Sequence, residues 1–245
     1  MEGSLASPVD PRQRIRAVLF DLDGTLYDQA RLRSLMAIEL LTLVGTGPTR
    51  AVRRWRALAA YRRAQEDLRT AARQSAFRPA AQIEAAAARS GLPAAEVRDL
   101  VDDWMMTRPL KYLRHCRKIG IAELLDVLVT AQVPAGVLSD YPAEAKLAAL
   151  GLAGRFKPVL CSSDPDIGVL KPSPRGFLRA CEIWHVEPRD VLVVGDRPDV
   201  DAAGAAAAGM PCVIIGRGGD LDPSRSGYLM VPSIERLRSV LDAAS

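Results

Sequence analysis

The sequence predicts an α/β protein, in which helices cover both faces of a mostly parallel sheet and an all-helical segment interrupts the chain after the first strand. Two observations predict this class. Compact apolar runs alternate with helical stretches before residue 28 and after residue 115, whereas no run of β-branched residues occurs between these positions. Strands that alternate with helices form a mostly parallel sheet covered on both faces.

The apolar runs that predict strands are six or seven residues long and end in polar or glycine-containing loops. They are residues 15–20, 133–139, 158–163, 191–196 and 211–216. Helical stretches lie between them: Ser173 before Pro174 is typical of a helix start, and Gly209 is typical of a helix end. This order predicts a Rossmann-like core.

The segment between the first two strands carries about four predicted helices, at residues 30–44, 48–73, 79–90 and 93–107. The first helix is apolar on most sides, with Ile38 and Leu41 opposite its main apolar face. Such a helix is usually enclosed by others, which favours a small bundle. Glu39 lies within the apolar face, where we expect it to pair with an arginine of the same segment.

These patterns divide the chain into a flexible N-terminal tail (1–14), an α/β core (15–27 and 116–245) and a helical cap (28–115). With 49% hydrophobic and 25% charged residues among 245, the composition is that of a globular protein and excludes disorder or a fibrous repeat. No apolar run reaches the roughly 20 residues of a membrane span, and no secretory signal is evident. We therefore expect a cytoplasmic protein without a membrane partner.

The cap residues 28–115 hold sixteen Lys or Arg against nine Asp or Glu. Neither interleaved aromatic residues nor a recognisable binding motif accompanies this charge, so nucleic acid is not the expected partner. The arginines could favour an anionic substrate, or could be solvated helix surface. They are Arg53, Arg54, Arg56, Arg62 and Arg63. Four separated cysteines and two histidines disfavour a zinc site, so oxygen ligands should hold any metal.

Polar residues and Gly24 follow the predicted strands, and Lys171 lies shortly before the Ser173 helix start. The carboxyl ends of the strands meet at one edge of a parallel sheet, where loops supply a site. These residues are Asp21, Asp23, Gly24, Thr25, Ser139, Asp140, Lys171, Asp196, Asp199 and Asp201. Crowded carboxylates repel unless a cation lies among them, and oxygen ligands with room for water favour Mg²⁺. A metal, a lysine and a hydroxyl around a carboxylate suit phosphoryl transfer. The glycine lets the backbone approach a phosphate, and a helix beginning near Pro142 would offer free N–H groups.

Four of these segments resemble the ordered motifs of the haloacid dehalogenase (HAD) superfamily. They are FDLDGTL at 20–26, VLSD at 137–140, LKPSP at 170–174 and VGDRPDVD at 194–201. The resemblance covers about residues 15–27 and 116–216, and the helical segment is similar to the cap of one subgroup. Only 24 residues separate Lys171 from Asp196, which leaves no room for a cap between the later motifs.

The resemblance implies a role for each matching residue. Asp21 would be the nucleophile that forms an aspartyl phosphate, and Asp23 the general acid and base. The residues implied at the phosphate are Gly24, Ser139, Asp140 and Lys171, and those implied at Mg²⁺ are Asp21, Asp23, Asp196 and Asp201. Helix capping is an alternative role for Asp140, Asp199 and Asp201. Many relatives carry asparagine where this chain has Asp140, so we predict that this carboxylate turns toward the following helix amides or the cap.

The function that follows is a Mg²⁺-dependent phosphatase acting on a small phosphorylated metabolite. Dehalogenases of the superfamily lack the second aspartate and use no metal, so Asp23 and Asp196 disfavour that reaction. A phosphomutase with the same nucleophile, and a catalytically silent phosphate- or partner-binding module, remain alternatives. A phosphonatase would need a cap lysine, and Lys111 is the sole lysine there. The natural substrate and the oligomeric state stay open.

Overall fold

Within the described residues, a parallel sheet of six strands forms the core of the protein. The computed structural model describes residues 15–42, 48–71, 77–216 and 227–243; the predicted tail at 1–14 lies outside them. The strand order is β3-β2-β1-β4-β5-β6, and every neighbouring pair is parallel. The strands are β1 (Ala17–Phe20), β2 (Ala135–Ser139), β3 (Val159–Cys161), β4 (Val191–Gly195), β5 (Cys212–Ile215) and β6 (Leu229–Val231).

The strand β6 is absent from the sequence-based prediction, which has five strands. It is three residues long and pairs with β5 at the edge of the sheet. A run this short carries too little periodicity to predict a strand. The five predicted strands are present, with one to three fewer residues than expected.

Helices cover both faces of the sheet, which confirms the predicted α/β sandwich. The helices outside the cap are α6 (Ile121–Thr130), α7 (Glu144–Ala149), α8 (Arg175–Trp184), α9 (Ala203–Ala208) and α10 (Ile234–Ala243). Side chains of a strand alternate between its two faces. Val18 and Phe20 of β1 therefore pack with α6, α7 and α10, whereas Leu19 packs with Phe177 of α8 and Ala205 of α9.

The inserted segment is helical, as predicted. Its helices are α1 (Gln29–Thr42), α2 (Pro48–Ala71), α3 (Pro79–Ser90), α4 (Ala94–Val101) and α5 (Leu110–Cys116), with π-helical turns over Asp102–Thr107. Residues 43, 44, 72 and 73 of the predicted helices lie outside the described residues. A separate apolar core joins α2, α3 and α4 through residues such as Tyr61, Ile83 and Val97. The division into core and cap with the boundaries above stays a prediction.

The expectation that α1 is enclosed on most sides is wrong. Ile38 and Leu41 are 60% and 68% exposed, because one face of the helix packs inward through Leu32, Met36 and Leu40. Within the described residues, no helix has both the length and the apolar character needed to cross a bilayer.

The expected pairing of Glu39 is confirmed. Its Oε1 accepts hydrogen bonds from Arg108 at 2.9 Å and Lys111 at 2.8 Å, and Tyr112 donates to its Oε2 at 2.9 Å. These contacts join α1 to α5 and to the turn before α5, and they account for the acidic residue on an apolar face. Lys111 is thereby held at the surface of the cap by a carboxylate.

Candidate active site

The residues after β1, β2 and β4 meet at one edge of the sheet around a cavity of about 380 Å³. The Asp21 amide donates to Val194 O at 2.8 Å, so the ladder between β1 and β4 continues to the point where the nucleophile candidate leaves the strand. The predicted site residues that line the cavity are Asp21, Asp23, Ser139, Asp140, Lys171, Asp196 and Asp201.

A buried lysine connects two of the carboxylates. Lys171 Nζ donates to Asp21 Oδ1 at 2.5 Å and to Asp201 Oδ1 at 2.7 Å. Burial alone would lower the pKa of Lys171, but the charges of Asp201 and Asp21 raise it above its ordinary value. Thr25 Oγ1 donates to Asp21 Oδ2 at 3.0 Å, so both oxygens of the Asp21 carboxylate are held in place. The ammonium therefore stays charged beside the candidate nucleophile.

Three carboxylates form an acidic cluster: Asp21, Asp196 and Asp201 each place an oxygen within 4.8 Å of the others. Burial, reinforced by the charges of Asp201 and Asp196, raises the pKa of Asp21 to about 8 although Lys171 opposes the shift. Burial and the charge of Asp201 likewise raise the pKa of Asp196 to about 6. Lys118 and Arg197 oppose the shift of Asp196 but leave its pKa raised. Oxygen donors so close together suit a hard divalent cation such as Mg²⁺.

Gly24 makes room for this cluster. Its φ of +98° lies in the region that side chains disfavour, and a Cβ added there would lie 2.0 Å from Asp196 Oδ2. Asp201 orients the facing loop, because its Oδ2 accepts hydrogen bonds from the amides of Asp196 at 3.2 Å and Arg197 at 3.1 Å. The loop after β4 is therefore fixed by the carboxylate that also contacts Lys171.

Asp23 stands apart from the acidic cluster and is held by two residues that the sequence analysis missed. Lys146 Nζ lies 2.7 Å and 2.8 Å from its two carboxylate oxygens, and Tyr27 OH donates to Oδ1 at 2.6 Å. Burial would raise the pKa of Asp23, but the charge and hydrogen bonds of Lys146 and the hydroxyl of Tyr27 lower it. The carboxylate is therefore favoured in its ionised form.

One sequence signal could have indicated each partner. Tyr27 follows Asp23 by four residues, which places both on the same side of the turn after β1. Lys146 lies in the short helix that follows the Ser139 loop, in a stretch that apart from Glu144 is apolar and alanine-rich. A lysine in such a stretch needs a partner, because the burial of an unpaired charge is costly.

The carboxylate of Asp140 turns toward the cap, in line with the sequence-based expectation. Its Oδ2 accepts from Arg69 of α2 at 2.8 Å, and its Oδ1 accepts from Ser162 Oγ at 2.7 Å and from the Lys171 amide at 3.2 Å. The neighbouring Ser139 Oγ accepts from the Tyr141 amide at 3.2 Å, which leaves its hydroxyl proton available to a ligand.

Asp199 lies away from the acidic cluster. Its exposed carboxylate accepts from Arg197 Nη2 at 2.5 Å, and Arg197 Nη1 also donates to Glu66 of α2 at 2.8 Å. The structure thus brings Asp199 into a contact between the core loop and the cap.

The helix expected near Pro142 begins at Glu144, two residues later than predicted.

The cap side of the cavity is largely apolar. Its apolar lining residues include Met36, Leu40, Trp55, Leu58, Trp104, Met105 and Met106. Tyr141, which follows the Ser139 loop, stacks on Tyr61 with ring centroids 6.3 Å apart and accepts a hydrogen bond from Gln82 at 3.1 Å. The floor of the cavity, which the loops after the strands form, therefore carries charge. The roof, which the cap helices form, offers apolar surface.

A profile of the haloacid dehalogenase-like hydrolases matches residues 15–209, which span both the charged floor and the helical roof. The chain belongs to this family. As a haloacid dehalogenase-like hydrolase, it carries the four motifs at the ends of β1, β2 and β4 and before α8.

Relatives with named activities include phosphatases. An N-acetylmuramic acid 6-phosphate phosphatase of Pseudomonas aeruginosa is 31% identical to this hydrolase over 194 residues, which cover 76% of this chain and 75% of that protein. A glyceraldehyde 3-phosphate phosphatase of Methanopyrus kandleri is 39% identical over 99 residues. That match covers 40% of this chain and 42% of the relative, so the chain matches less than half of the relative's length.

Solved structures show the same fold. The crystal structure of a 2-haloacid dehalogenase from Pseudomonas syringae pv. Tomato DC3000 superimposes with a TM-score of 0.60 at 24% identity. The superposition covers 94% of this hydrolase and 100% of that chain. At this identity the likeness establishes the fold alone.

Proposed function

We propose that this hydrolase is a Mg²⁺-dependent phosphatase that acts on a small phosphomonoester through an aspartyl phosphate on Asp21. The observation that carries the proposal is the buried Lys171, which contacts Asp21 and Asp201 beside Asp196 in a cavity that Ser139 also lines. The names of the phosphatase relatives support the same reaction.

In the first step, a carboxylate oxygen of Asp21 forms a bond to phosphorus while the bond from phosphorus to the leaving oxygen breaks. Lys171 would neutralise charge on the phosphoryl oxygens, and the Ser139 hydroxyl would donate a hydrogen bond to one of them. Lys171 also helps to orient the nucleophile, because it contacts Oδ1 while Thr25 Oγ1 donates to Oδ2.

Asp23 would give a proton to the leaving oxygen and then take one from the water that releases phosphate. Lys146 and Tyr27 favour its ionised form, which is the form needed to accept that second proton. The first step requires the carboxyl to take up a proton before it can donate one. Leaving groups that need little protonation, such as p-nitrophenolate, should therefore react fastest.

The acidic cluster fits Mg²⁺. Asp21, Asp196 and Asp201 would hold the ion with the backbone carbonyl of Asp23, and Gly24 leaves the space that the Asp196 carboxylate occupies. When bound, the ion supplies positive charge for the phosphoryl oxygens. The presence of Asp23 and Asp196 disfavours dehalogenation despite the fold shared with dehalogenases.

The test is the release of phosphate from p-nitrophenyl phosphate with Mg²⁺ and with EDTA. Asp21→Asn should lower kcat by at least about 10³-fold, because the nucleophile is lost. The matched control is Asp166→Asn, which removes a carboxylate from a surface pair with Arg179 and should leave the rate unchanged. Activity that survives EDTA or Asp21→Asn would reject the mechanism.

A further inference from the structure

The carboxylate of Asp23 has one acceptor position left open. Its Oδ1 accepts from Lys146 Nζ at 2.7 Å and from Tyr27 OH at 2.6 Å. Among the described residues, its Oδ2 accepts from Lys146 Nζ alone, at 2.8 Å. A carboxylate offers about four acceptor positions, two on each oxygen, so the open position belongs to Oδ2.

The carboxylate is accessible from the cavity, whereas its two donors are nearly enclosed. Asp23 lines the cavity and its side chain is 24% exposed. Tyr27 and Lys146 are 2% and 8% exposed. A bound molecule can therefore reach Asp23 while the hydroxyl and the ammonium stay in place.

Both donors are supported where the chain passes between the sheet and the inserted helices. Tyr27 forms an antiparallel bridge with Arg117 at this place. Arg117 Nη1 also donates to Leu150 O at 3.1 Å, at the end of the helix α7 that carries Lys146. One segment thus contacts the supports of both donors, which favours a single orientation of the Asp23 carboxylate.

We propose that Tyr27 and Lys146 are positioning residues that present Oδ2 of Asp23 to the leaving oxygen and then to the hydrolytic water. This inference rests on the proposed phosphatase function and assigns the proton transfers of both steps to one oxygen. A general acid acts only within hydrogen-bond reach of the atom that it protonates, so the orientation of the carboxylate limits the rate.

The protons balance over the two steps. In the first step, the O–H bond on Oδ2 breaks as the leaving oxygen gains the proton. In the second step, the water oxygen bonds to phosphorus, the bond between phosphorus and Asp21 breaks, and Oδ2 takes the proton from the water. The protonated carboxyl is thereby restored for the next substrate.

The experiment compares phenyl phosphate with 2,4-dinitrophenyl phosphate, whose leaving group is much less basic and needs little proton donation. The kcat/KM for the first ester is divided by that for the second, in the wild type and in Tyr27→Phe, which keeps the buried ring and removes only the hydroxyl. Tyr27→Phe should lower this ratio about tenfold, a part of the roughly 10²–10⁴-fold that a well-placed general acid contributes.

The second step provides a separate measurement. With 2,4-dinitrophenyl phosphate, Tyr27→Phe should show a lower kcat and a burst of dinitrophenolate, because hydrolysis of the aspartyl phosphate still needs the base. The matched control is Tyr112→Phe, which removes the hydroxyl that donates to Glu39 and should keep the wild-type ratio.

A ratio that Tyr27→Phe leaves unchanged, or lowers equally in an Asp23→Asn background, would overturn the positioning role, because a residue that acts through this carboxylate has no effect without it. Lys146→Arg moves the other donor and should also lower the ratio, so it decides the question if Tyr27→Phe fails to fold. A wild type that hydrolyses neither ester would reject the phosphatase proposal and this inference together, whereas hydrolysis with an unchanged ratio rejects the positioning role alone.

Discussion

The floor and the roof of the cavity are built on different principles. On the floor, Asp21, Lys171 and Asp201 are joined by hydrogen bonds of 2.5 Å and 2.7 Å between loops that follow strands of one sheet. On the roof, apolar side chains from several helices line the cavity, and Arg69 of α2 reaches the floor through Asp140. The floor is thus held together by contacts between charged groups, whereas the roof is largely apolar.

The largest change in the free energy of unfolding should come from the ion pair between Asp23 and Lys146 on the floor. Both side chains are mostly buried, and removing one partner of a buried pair leaves an uncompensated charge. Lys146→Met should lower the free energy of unfolding by about 3 kcal/mol at neutral pH. Urea unfolding measures it, and Lys146→Arg, which keeps the charge, should lose less.

The pH dependence of this loss has a definite sign. The pKa of Asp23 is lower in the folded state than in the unfolded chain. The pair therefore stabilises the protein fully at a pH above the pKa of an ordinary carboxyl group, and this stabilisation is lost as the pH falls through the lowered pKa of Asp23. The difference between wild type and Lys146→Met should therefore shrink in acid. A difference that stays constant with pH, or a double variant with Asp23→Asn that shows no coupling, would contradict the pairing.

The second largest change in stability should come from the binding of Mg²⁺. Because the pKa of Asp21 is raised to about 8 and that of Asp196 to about 6, the folded metal-free protein binds more protons than the unfolded chain, and its stability falls as the pH rises from about 4 to 8. Mg²⁺ competes with those protons, so it should raise the thermal midpoint more near pH 8 than near pH 5. At a hundredfold excess over Kd the gain is about 2.7 kcal/mol.

Scanning calorimetry with and without Mg²⁺ measures this gain at both pH values. Asp196→Asn removes one ligand of the acidic cluster and should reduce the gain, whereas Asp166→Asn should not. A gain of equal size at both pH values would show that the ion binds elsewhere.

The smallest change in the free energy of unfolding should come from the ion pair that joins the roof to the floor. Glu66 and Arg197 form an ion pair at 2.8 Å with both side chains partly exposed, and such pairs contribute about 0–1 kcal/mol. Glu66→Gln should lower the free energy of unfolding within that range, and the loss should vanish in high salt. Glu84→Gln on α3 is the control. A loss well above this range would show that the pair stabilises more than a surface contact.

The sequence predicted the core better than the cap for a physical reason. Asp21 and Asp196 follow apolar strands directly and Asp201 lies five residues beyond Asp196, so local order along the chain indicates where they meet. The contacts of Asp23 with Lys146 and of Asp140 with Arg69 join residues 123 and 71 positions apart. Nothing in the local pattern around Lys146 or Arg69 specifies those partners, since they depend on how helices pack onto the loops.

The exposed side of α1 shows the same limit. Apolar residues on most sides of a helix indicate burial, yet Ile38 and Leu41 are exposed because the neighbouring helices contact only one face. Periodicity predicts that a helix forms and which residues could be buried. It does not specify how many neighbours the finished fold provides.

The geometry at Gly24 limits which substitutions this position can accept. Any change of its codon that alters the amino acid introduces a β-carbon, at a backbone angle of +98° and 2.0 Å from an oxygen of Asp196. A missense change at this position would therefore combine a strained backbone with a displaced Asp196 carboxylate, and should lower activity.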